Sequence, residues 1–530
     1  MADPAPAGFD RLLTALRDPR CYPHEVHRVE VLQTHISAVL LTGSFAYKIK
    51  KPVRLGFLDF SSLAARRHYC EEELRLNRRT APGLYLEVVP ISGSLETPRV
   101  GGSGEALEYA LRMREFPQEV LLDAMARAGR LSPDHVRSLA QAVAAFHGAA
   151  ARAAPDAGWS SPEEVLKVSL QNFDQISALC PGDASRLEPL RSWTLEEHAR
   201  RRMAFAARAS SGLVRECHGD LHLRNIALLE GVPTLFDCIE FNEELRWIDV
   251  MSETAFLAMD LFAHGLPALA WVFLDGYLEH TGDYEGLRVL RFYAVYRALV
   301  RAKVACIRAH QDASGAEASR SRQRYREHLQ LADQLARLSR PALLIMQGVS
   351  GSGKSAAAAE LAPKLGALRC RSDVERKRLH GVAPAARSGS GLDEGIYSAA
   401  ATMRTYERLA GIAREALQAG YPVIVDAAFL ARAERDRLRR VARECAAPFA
   451  IASCSAPEAV LRERVRAREQ QSRDASEAGL PVLERQLGRQ EPLAPEEAAD
   501  VYALDTSGPL AAESAAALAS RLGLETVYQG

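Results

Sequence analysis

The feature that most restricts this chain lies at residues 343–365. An apolar run, LLIM, reaches through Gln347 to Gly348-Val349-Ser350-Gly351-Ser352-Gly353-Lys354-Ser355, and an Ala-rich segment follows at once. A short apolar run without polar alternation reads as a strand buried on both faces. Glycines let the next turn curl with its N–H groups pointing inward, and a helix starting there adds its positive dipole end. Strand, loop and helix in that order bind a phosphate chain, with Lys354 reaching the β- and γ-phosphates and the Ser355 hydroxyl ligating Mg²⁺. Two further apolar runs, at 421–426 and 448–453, alternate with helical segments. Residues 339–530 are therefore expected to form an α/β domain built on a parallel sheet.

Residues around that loop have the chemistry of phosphoryl transfer. Asp426 ends the second apolar run, where an acidic side chain holds Mg²⁺ through water. Asp373, in Arg371-Ser372-Asp373, falls where another strand should end, and it could orient an acceptor hydroxyl and accept its proton; its plainer role is a helix cap. Arg464, Arg468 and Arg473 lie in LRERVRAREQQSRDAS, a charged segment whose arginines can clamp a transferring phosphoryl group. This region, from about 342 to 489, resembles the P-loop small-molecule and polynucleotide kinases grouped with AAA-type ATPases.

The other informative stretch is His218-Gly219-Asp220-Leu221-His222-Leu223-Arg224-Asn225. A tight loop here precedes one short apolar strand, IALL, and a second, TLF, that ends at Asp237. Asp220 can accept a proton from an acceptor hydroxyl, while Asn225 and Asp237 can hold Mg²⁺ on nucleotide phosphates. His218 is expected to brace the loop. Upstream, strand-like segments between 29 and 116 surround a helix-like segment, 61–80; downstream, helices are expected to about 338. The whole, from about 29 to 310, resembles the aminoglycoside phosphotransferase and choline kinase-like families, which share the protein-kinase fold.

That resemblance implies an α+β bilobal protein-kinase-like domain over 1–338, with a lysine of the third strand on the nucleotide. Lys48 and Lys50 point to one face under the period-2 alternation of a strand; Lys48 is the first choice and Lys50 the alternate. Glu71, Glu72 and Glu73 are all available as its ion-pair partner. MREFP, at 113–117, resembles the hinge that pairs with adenine. Two departures stand out. No GxGxxG covers the phosphates, and Asp237 is followed by Cys238-Ile239-Glu240, so Glu240 could share the metal role. Asp249 resembles the residue that ties down the catalytic loop.

Composition bounds the rest. The 530 residues suffice for several domains, and 48% hydrophobic with 25% charged residues excludes a mostly disordered chain. Lys+Arg equals Asp+Glu at 67 each, so whole-molecule attraction to nucleic acid or to a membrane is not expected. Asp260, His264 and Asp275 interrupt the most apolar stretch, 254–278, which reads as a buried helix pair. Nine scattered cysteines without a CxxC pair point to a reducing cytoplasm. The expectation is a bifunctional phosphotransferase using ATP (or GTP) and Mg²⁺, each half acting on a hydroxyl of a small molecule. Two alternatives stay open. One half could regulate the other, or the C-terminal half could phosphorylate polynucleotide 5′ ends through the arginines of 431–440.

Overall fold

Alternation between 30 and 50 produces three antiparallel strands: β1 (Glu30–Gln33), β2 (Ser37–Leu41) and β3 (Phe45–Lys50). In β3, Tyr47 and Ile49 enter the hydrophobic core with Ala38 and Leu40, so Lys48 and Lys50 project from the other face. The computed structural model describes residues 7–55, 58–154, 157–311, 315–384, 386–390, 394–471 and 476–525. By their contacts they form two compact units: Met1–Ser138 with Ala145–Val165 and Ala206–Asp260, and Leu139–Ala144 with Leu166–Phe205 and Leu261–Gly530.

In the first unit, helix α1 (Leu63–Asn77) follows β3. The Ser62 hydroxyl accepts the Ala65 N–H at its start, which satisfies one of the donors a helix leaves open. Strands β4 (Tyr85–Gly93), β5 (Pro98–Val100) and β6 (Glu108–Arg114) complete a six-stranded sheet in the order β1-β2-β3-β6-β4-β5. Edge strand β5 was not legible in the sequence, which suggested five strands. Strand β7 (Val214–Glu216) leads into the 218–225 loop, and β8 (Ile226–Leu229) pairs with β9 (Val232–Leu235) beyond it. Strand β10 (Trp247–Asp249) returns against β7 and runs straight into helix α2 (Val250–Ala263).

The second unit contains helix α3 (Pro267–Thr281) and the helices Leu287–Gln311 and Ala316–Arg337. Tyr325, Leu329, Ala332 and Leu335 are buried at helical spacing, so from 316 onward the connection is a docked helix. Its sheet consists of β11 (Leu343–Gln347), β12 (Leu368–Arg371), β13 (Val423–Asp426), β14 (Phe449–Ser455) and β15 (Val501–Asp505). The order is β12-β13-β11-β14-β15, with every pair parallel. Helices α4 (Lys354–Leu365), α5 (Ser372–Leu379), α6 (Ala399–Gln418), α7 (Arg432–Glu444), α8 (Glu458–Gln471) and α9 (Leu480–Arg489) connect the strands. Strand β15 escaped the sequence reading because VYALD has polar neighbours on both sides and no long apolar run. Among the described residues, no helix is long and apolar enough to cross a membrane.

Candidate active sites

On α1 the buried residues Arg66, Cys70, Glu73 and Asn77 form one stripe at helical spacing. Glu71 and Glu72 fall outside it and pair with Arg67 and Arg75. Glu73 therefore reaches the lysine face of β3. Its Oε1 accepts from Lys48 Nζ at 2.7 Å and its Oε2 from Lys50 Nζ at 2.8 Å. Lys48 also donates to Asp237 Oδ1 at 2.5 Å, and Lys50 to Glu240. Both lysines are thus engaged, with Lys48 beside the expected metal residue and Lys50 deeper. Burial alone would raise the Glu73 carboxyl; the two ammonium groups outweigh it and hold the pKa at about 2. Burial also opposes a charged Lys48, yet Asp237 and Glu73 keep it well above its ordinary value.

Asp237 is held from behind. Its N–H donates to the Tyr85 hydroxyl at 3.0 Å, and the next N–H, of Cys238, donates to Asn77 Oδ1 at 2.9 Å. The Asp237 side chain is 42% exposed, with its Oδ2 left to face a cation. Across the loop, Asn225 Nδ2 donates to the Asp220 carbonyl at 3.0 Å and lies 3.3 Å from Asp220 Oδ2. The partly exposed Asp220 carboxylate also has His222 Nε2 at 3.3 Å from its Oδ2. His218 Nε2 bonds to the Phe236 carbonyl at 2.7 Å, which makes it a brace. Gly219 has φ +89° with Leu245 O 2.8 Å from where a Cβ would sit, so only glycine fits. Within the expected hinge, the N–H groups of Arg114 and Glu115 already bond to Leu84 and Ser44 carbonyls.

The loop's anchor is a residue the sequence reading did not single out. Glu253, on α2, accepts the His218 N–H at 3.2 Å and the Gly219 N–H at 2.7 Å, and meets His147 Nε2 at 2.9 Å. Asp260 accepts the Leu223 N–H at 2.9 Å. Asp249, expected to tie down the loop, instead forms a buried two-bond pair with Arg208 at 2.7 and 2.8 Å. Glu253 lies four residues further along, where the helix turns its side chain under the loop. Burial would raise its carboxyl, but His147, His218 and the Gly219 N–H hold it at about 2. Glu73 and Glu253 both have folded pKa values below their ordinary 4.5. Their contribution to stability is full above that value and is lost as pH falls from about 4.5 toward about 2. Acid titration followed by circular dichroism should show the first unit unfolding in that window, and Glu253→Gln should flatten the transition.

In the second unit, the parallel pairing of β11 and β13 sets Met346 against Asp426, and the Gly348 N–H donates to the Ala428 carbonyl at 3.0 Å. The phosphate loop and Asp426 therefore lie side by side. Gly351 has φ +79°, and a Cβ there would meet Leu461 O at 2.6 Å. Lys354 Nζ lies 3.4 Å from Val349 O, arching back over the loop, and Ser355 opens α4 behind it. Ser352 Oγ and Asp426 Oδ1 are buried with no hydrogen-bond partner among the described residues. Buried polar atoms without partners cost stability unless a ligand satisfies them, so this donor and acceptor set fits a phosphate chain and its cation. Arg371 Nε stands 3.9 Å from Asp426 Oδ2.

Asp373 is the second residue of α5, one position inside the helix, so it is not the cap. Arg468 Nη2 donates to Ser350 Oγ at 2.8 Å, on the phosphate loop. Arg464 donates to the Thr506 and Ser507 carbonyls at 2.7 and 3.2 Å and lies 3.5 Å from Gly351 O, bridging the loop to the turn after β15. Gly353 adjoins that bridge, with Thr506 beside it. Arg473 falls outside the described residues. The sequence also gave no sign of Gln486, whose Oε1 accepts the Ser350 N–H at 2.6 Å. The arginine run of 431–440 is largely engaged in ion pairs. Arg435 is buried with Glu497, Arg439 with Asp500 and Asp436, and Arg432 lies near Asp436.

Two family models match separate parts of the chain. The model of a phosphotransferase enzyme family matches residues 65–293. One described as an AAA domain matches 343–493. An uncharacterized protein of Mycobacterium tuberculosis is 32% identical over 469 residues, covering 87% of this chain and 91% of that one. A Mycobacterium bovis protein matches to the same extent. Among solved structures, a gluconokinase from Sinorhizobium meliloti is 24% identical, with a TM-score of 0.25, over 35% of this chain and 93% of its own. A choline kinase from Cryptosporidium parvum is 9% identical, with a TM-score of 0.37, over 61% of this chain and 95% of its own. The chain has a kinase-like fold of the phosphotransferase family followed by a P-loop kinase fold, and it belongs to the family represented by these mycobacterial relatives.

Proposed function

We propose that this protein is a bifunctional kinase, with a boundary at 338/339, in which each half transfers the γ-phosphate of ATP or GTP to a small-molecule hydroxyl. The observation that carries the reading is the joining of Lys48 to both Glu73 and Asp237, close to the Asp220–Asn225 pair, in a chain that also has a complete phosphate loop. In the first half, Lys48 positions the nucleotide phosphates. Asn225 Oδ1 and Asp237 Oδ2 would hold Mg²⁺, which supplies charge neutralisation on the phosphates when bound. Asp220 orients the acceptor hydroxyl and takes its proton. The hydroxyl oxygen bonds to the γ-phosphorus, the bond to the β–γ bridging oxygen breaks, and the nucleoside diphosphate leaves with the electron pair.

In the second half the loop Gly348–Gly353, Lys354 and Arg468 bind the phosphates, and Ser355 and Asp426 would hold the cation. Asp373 takes the proton, and Arg464 secures the loop that meets the nucleotide. The engaged arginines of 431–440 favour a small acceptor over a polynucleotide. Isothermal titration with Mg·AMP-PNP should find two equivalents per chain, falling to one with Lys354→Ala and to one with Asp237→Ala. A single equivalent, abolished by one of these changes, would overturn the bifunctional reading.

One observation favours a regulatory link as well. Asp275 and Glu279 of α3, which precedes the boundary in sequence, bond to Arg369 and Arg371 on β12. Arg371 in turn stands beside Asp426. Glu279→Gln should then alter the nucleotide affinity of the second site.

A further inference from the structure

Away from both candidate active sites, the second unit brings two thiols and an imidazole together. Helix Pro162–Leu179 ends where the Cys180 N–H donates to the Ile176 carbonyl at 2.7 Å, and the single turn Pro181–Asp183 follows. Cys306 and His310 stand four residues apart near the end of the helix Leu287–Gln311, on one side of it. The Sγ atoms of Cys180 and Cys306 and a ring nitrogen of His310 all lie within 4.8 Å of one another. Cys306 Sγ is 4.0 Å from His310 Nδ1. A tetrahedral zinc ion, bonded at about 2.3 Å to sulfur and about 2.0 Å to nitrogen, keeps its ligand atoms about 3.5–3.8 Å apart. Closing these three groups on an ion therefore takes shifts of about 1 Å.

The same groups line a cavity of about 400 Å³ whose other walls suit a bound ion. Tyr325, from the helix Ala316–Arg337, is 4% exposed, and its hydroxyl has no hydrogen-bond partner among the described residues. A buried hydroxyl in that state costs stability unless a ligand or a water reaches it. Burial raises the Tyr325 phenol, and Asp183, Cys180 and Cys306 beside it raise it further. Asp183 also lines the cavity, with Arg186 at 3.7 Å from its carboxylate. His310 Nδ1 donates to the Cys306 carbonyl at 2.9 Å, which holds the ring and leaves the lone pair of Nε2 for a metal. His310 is exposed, so an ion has a way in from solvent.

The donor set selects the ion. Thiolate and imidazole suit Zn²⁺, whereas Mg²⁺ takes oxygen ligands. This cluster is therefore chemically distinct from the carboxylate, amide and hydroxyl groups of the two kinase-like centres. Two thiolates cancel the charge of one divalent ion, and Arg322 and Arg326 in the cavity wall balance the Asp183 carboxylate.

We propose that Cys180, Cys306 and His310 form a zinc site, with Asp183 or a water below the Tyr325 hydroxyl in the fourth position. Binding makes two zinc–sulfur bonds and one zinc–nitrogen bond and sends both thiol protons to solvent, with no change of oxidation state. The ion ties the end of the helix Leu287–Gln311 to the 180–183 turn and takes no part in phosphoryl transfer.

The test uses the full chain, reduced, stripped with a chelator and kept in excess Mg·AMP-PNP, and titrates it with Co²⁺ alone. One equivalent should bind with a thiolate-to-cobalt charge-transfer absorption and the visible bands of a tetrahedral ion, and Zn²⁺ should displace it. His310→Ala, at an exposed position, and Cys180→Ser, at a half-buried one, should each weaken Co²⁺ binding at least about tenfold. Zn²⁺ should raise the melting temperature of the parent chain and leave that of His310→Ala unchanged. No uptake of Co²⁺, uptake without the thiolate band, or a band that survives both changes overturns the proposal. A reduced chain that takes up no Co²⁺, where the chain purified without reductant contains a Cys180–Cys306 disulfide, would assign the pair to oxidation instead.

Discussion

Asp220→Asn, made together with Lys354→Ala to silence the second site, should lower phosphoryl transfer by the first half about 10²–10⁴-fold, the range a positioned general base supplies. The change is nearly isosteric. Asn225 holds the loop chiefly through the Asp220 carbonyl, at 3.0 Å, which the substitution leaves in place. The amide lacks the basic oxygen needed to accept the acceptor's proton. Lys48, Asp237 and Asn225 are untouched, so nucleotide affinity should stay within a few-fold of the parent. Steady-state transfer and a parallel nucleotide titration separate the two quantities. Turnover at the parent rate would assign the proton to another group; His222, whose Nε2 is 3.3 Å from Asp220 Oδ2, would then be the one to test.

The second large effect is on stability. Glu73 is fully buried and joins two lysines that are themselves largely buried. Glu73→Ala removes the carboxylate and leaves two ammonium groups short of a partner, although Asp237 and Glu240 each retain one. Breaking a buried pair from one side costs about 3–5 kcal/mol. Glu73→Ala should therefore destabilise the first unit by about that amount in urea unfolding, whereas Glu71→Ala, on the exposed side of the same helix, should cost under about 1 kcal/mol. Equal effects of the two changes would mean that the lysines do not depend on Glu73. Charge is the deciding term, because both carboxylate oxygens are committed to ammonium groups. Glu73→Gln should restore less than half of the loss, since an amide fills the space without the charge.

Two motifs were legible in the sequence because each is local. A phosphate loop needs its glycines, lysine and hydroxyl within eight consecutive residues, and backbone geometry does most of the work. The same holds for 218–225, where Asn225 reaches Asp220 across a single turn. Alternation in β3 likewise put Lys48 and Lys50 on one face before any partner was known. The choice among Glu71, Glu72 and Glu73 was of another kind. It depends on the phase of α1 against β3, and the stripe that sets this phase, Arg66, Cys70, Glu73 and Asn77, is mostly polar and so gives no hydrophobic period to read. Glu253 and Gln486 act on loops 34 and 136 residues away in the chain, and no spacing rule spans such separations. Arg464 and Arg468 show the same division: their charge was visible in the sequence, but packing directed one to the turn after β15 and the other to Ser350. Local pattern therefore determined which kinase-like motifs the chain carries, and tertiary packing decided which charges surround them, because a buried charge is stable only where the fold brings it a partner.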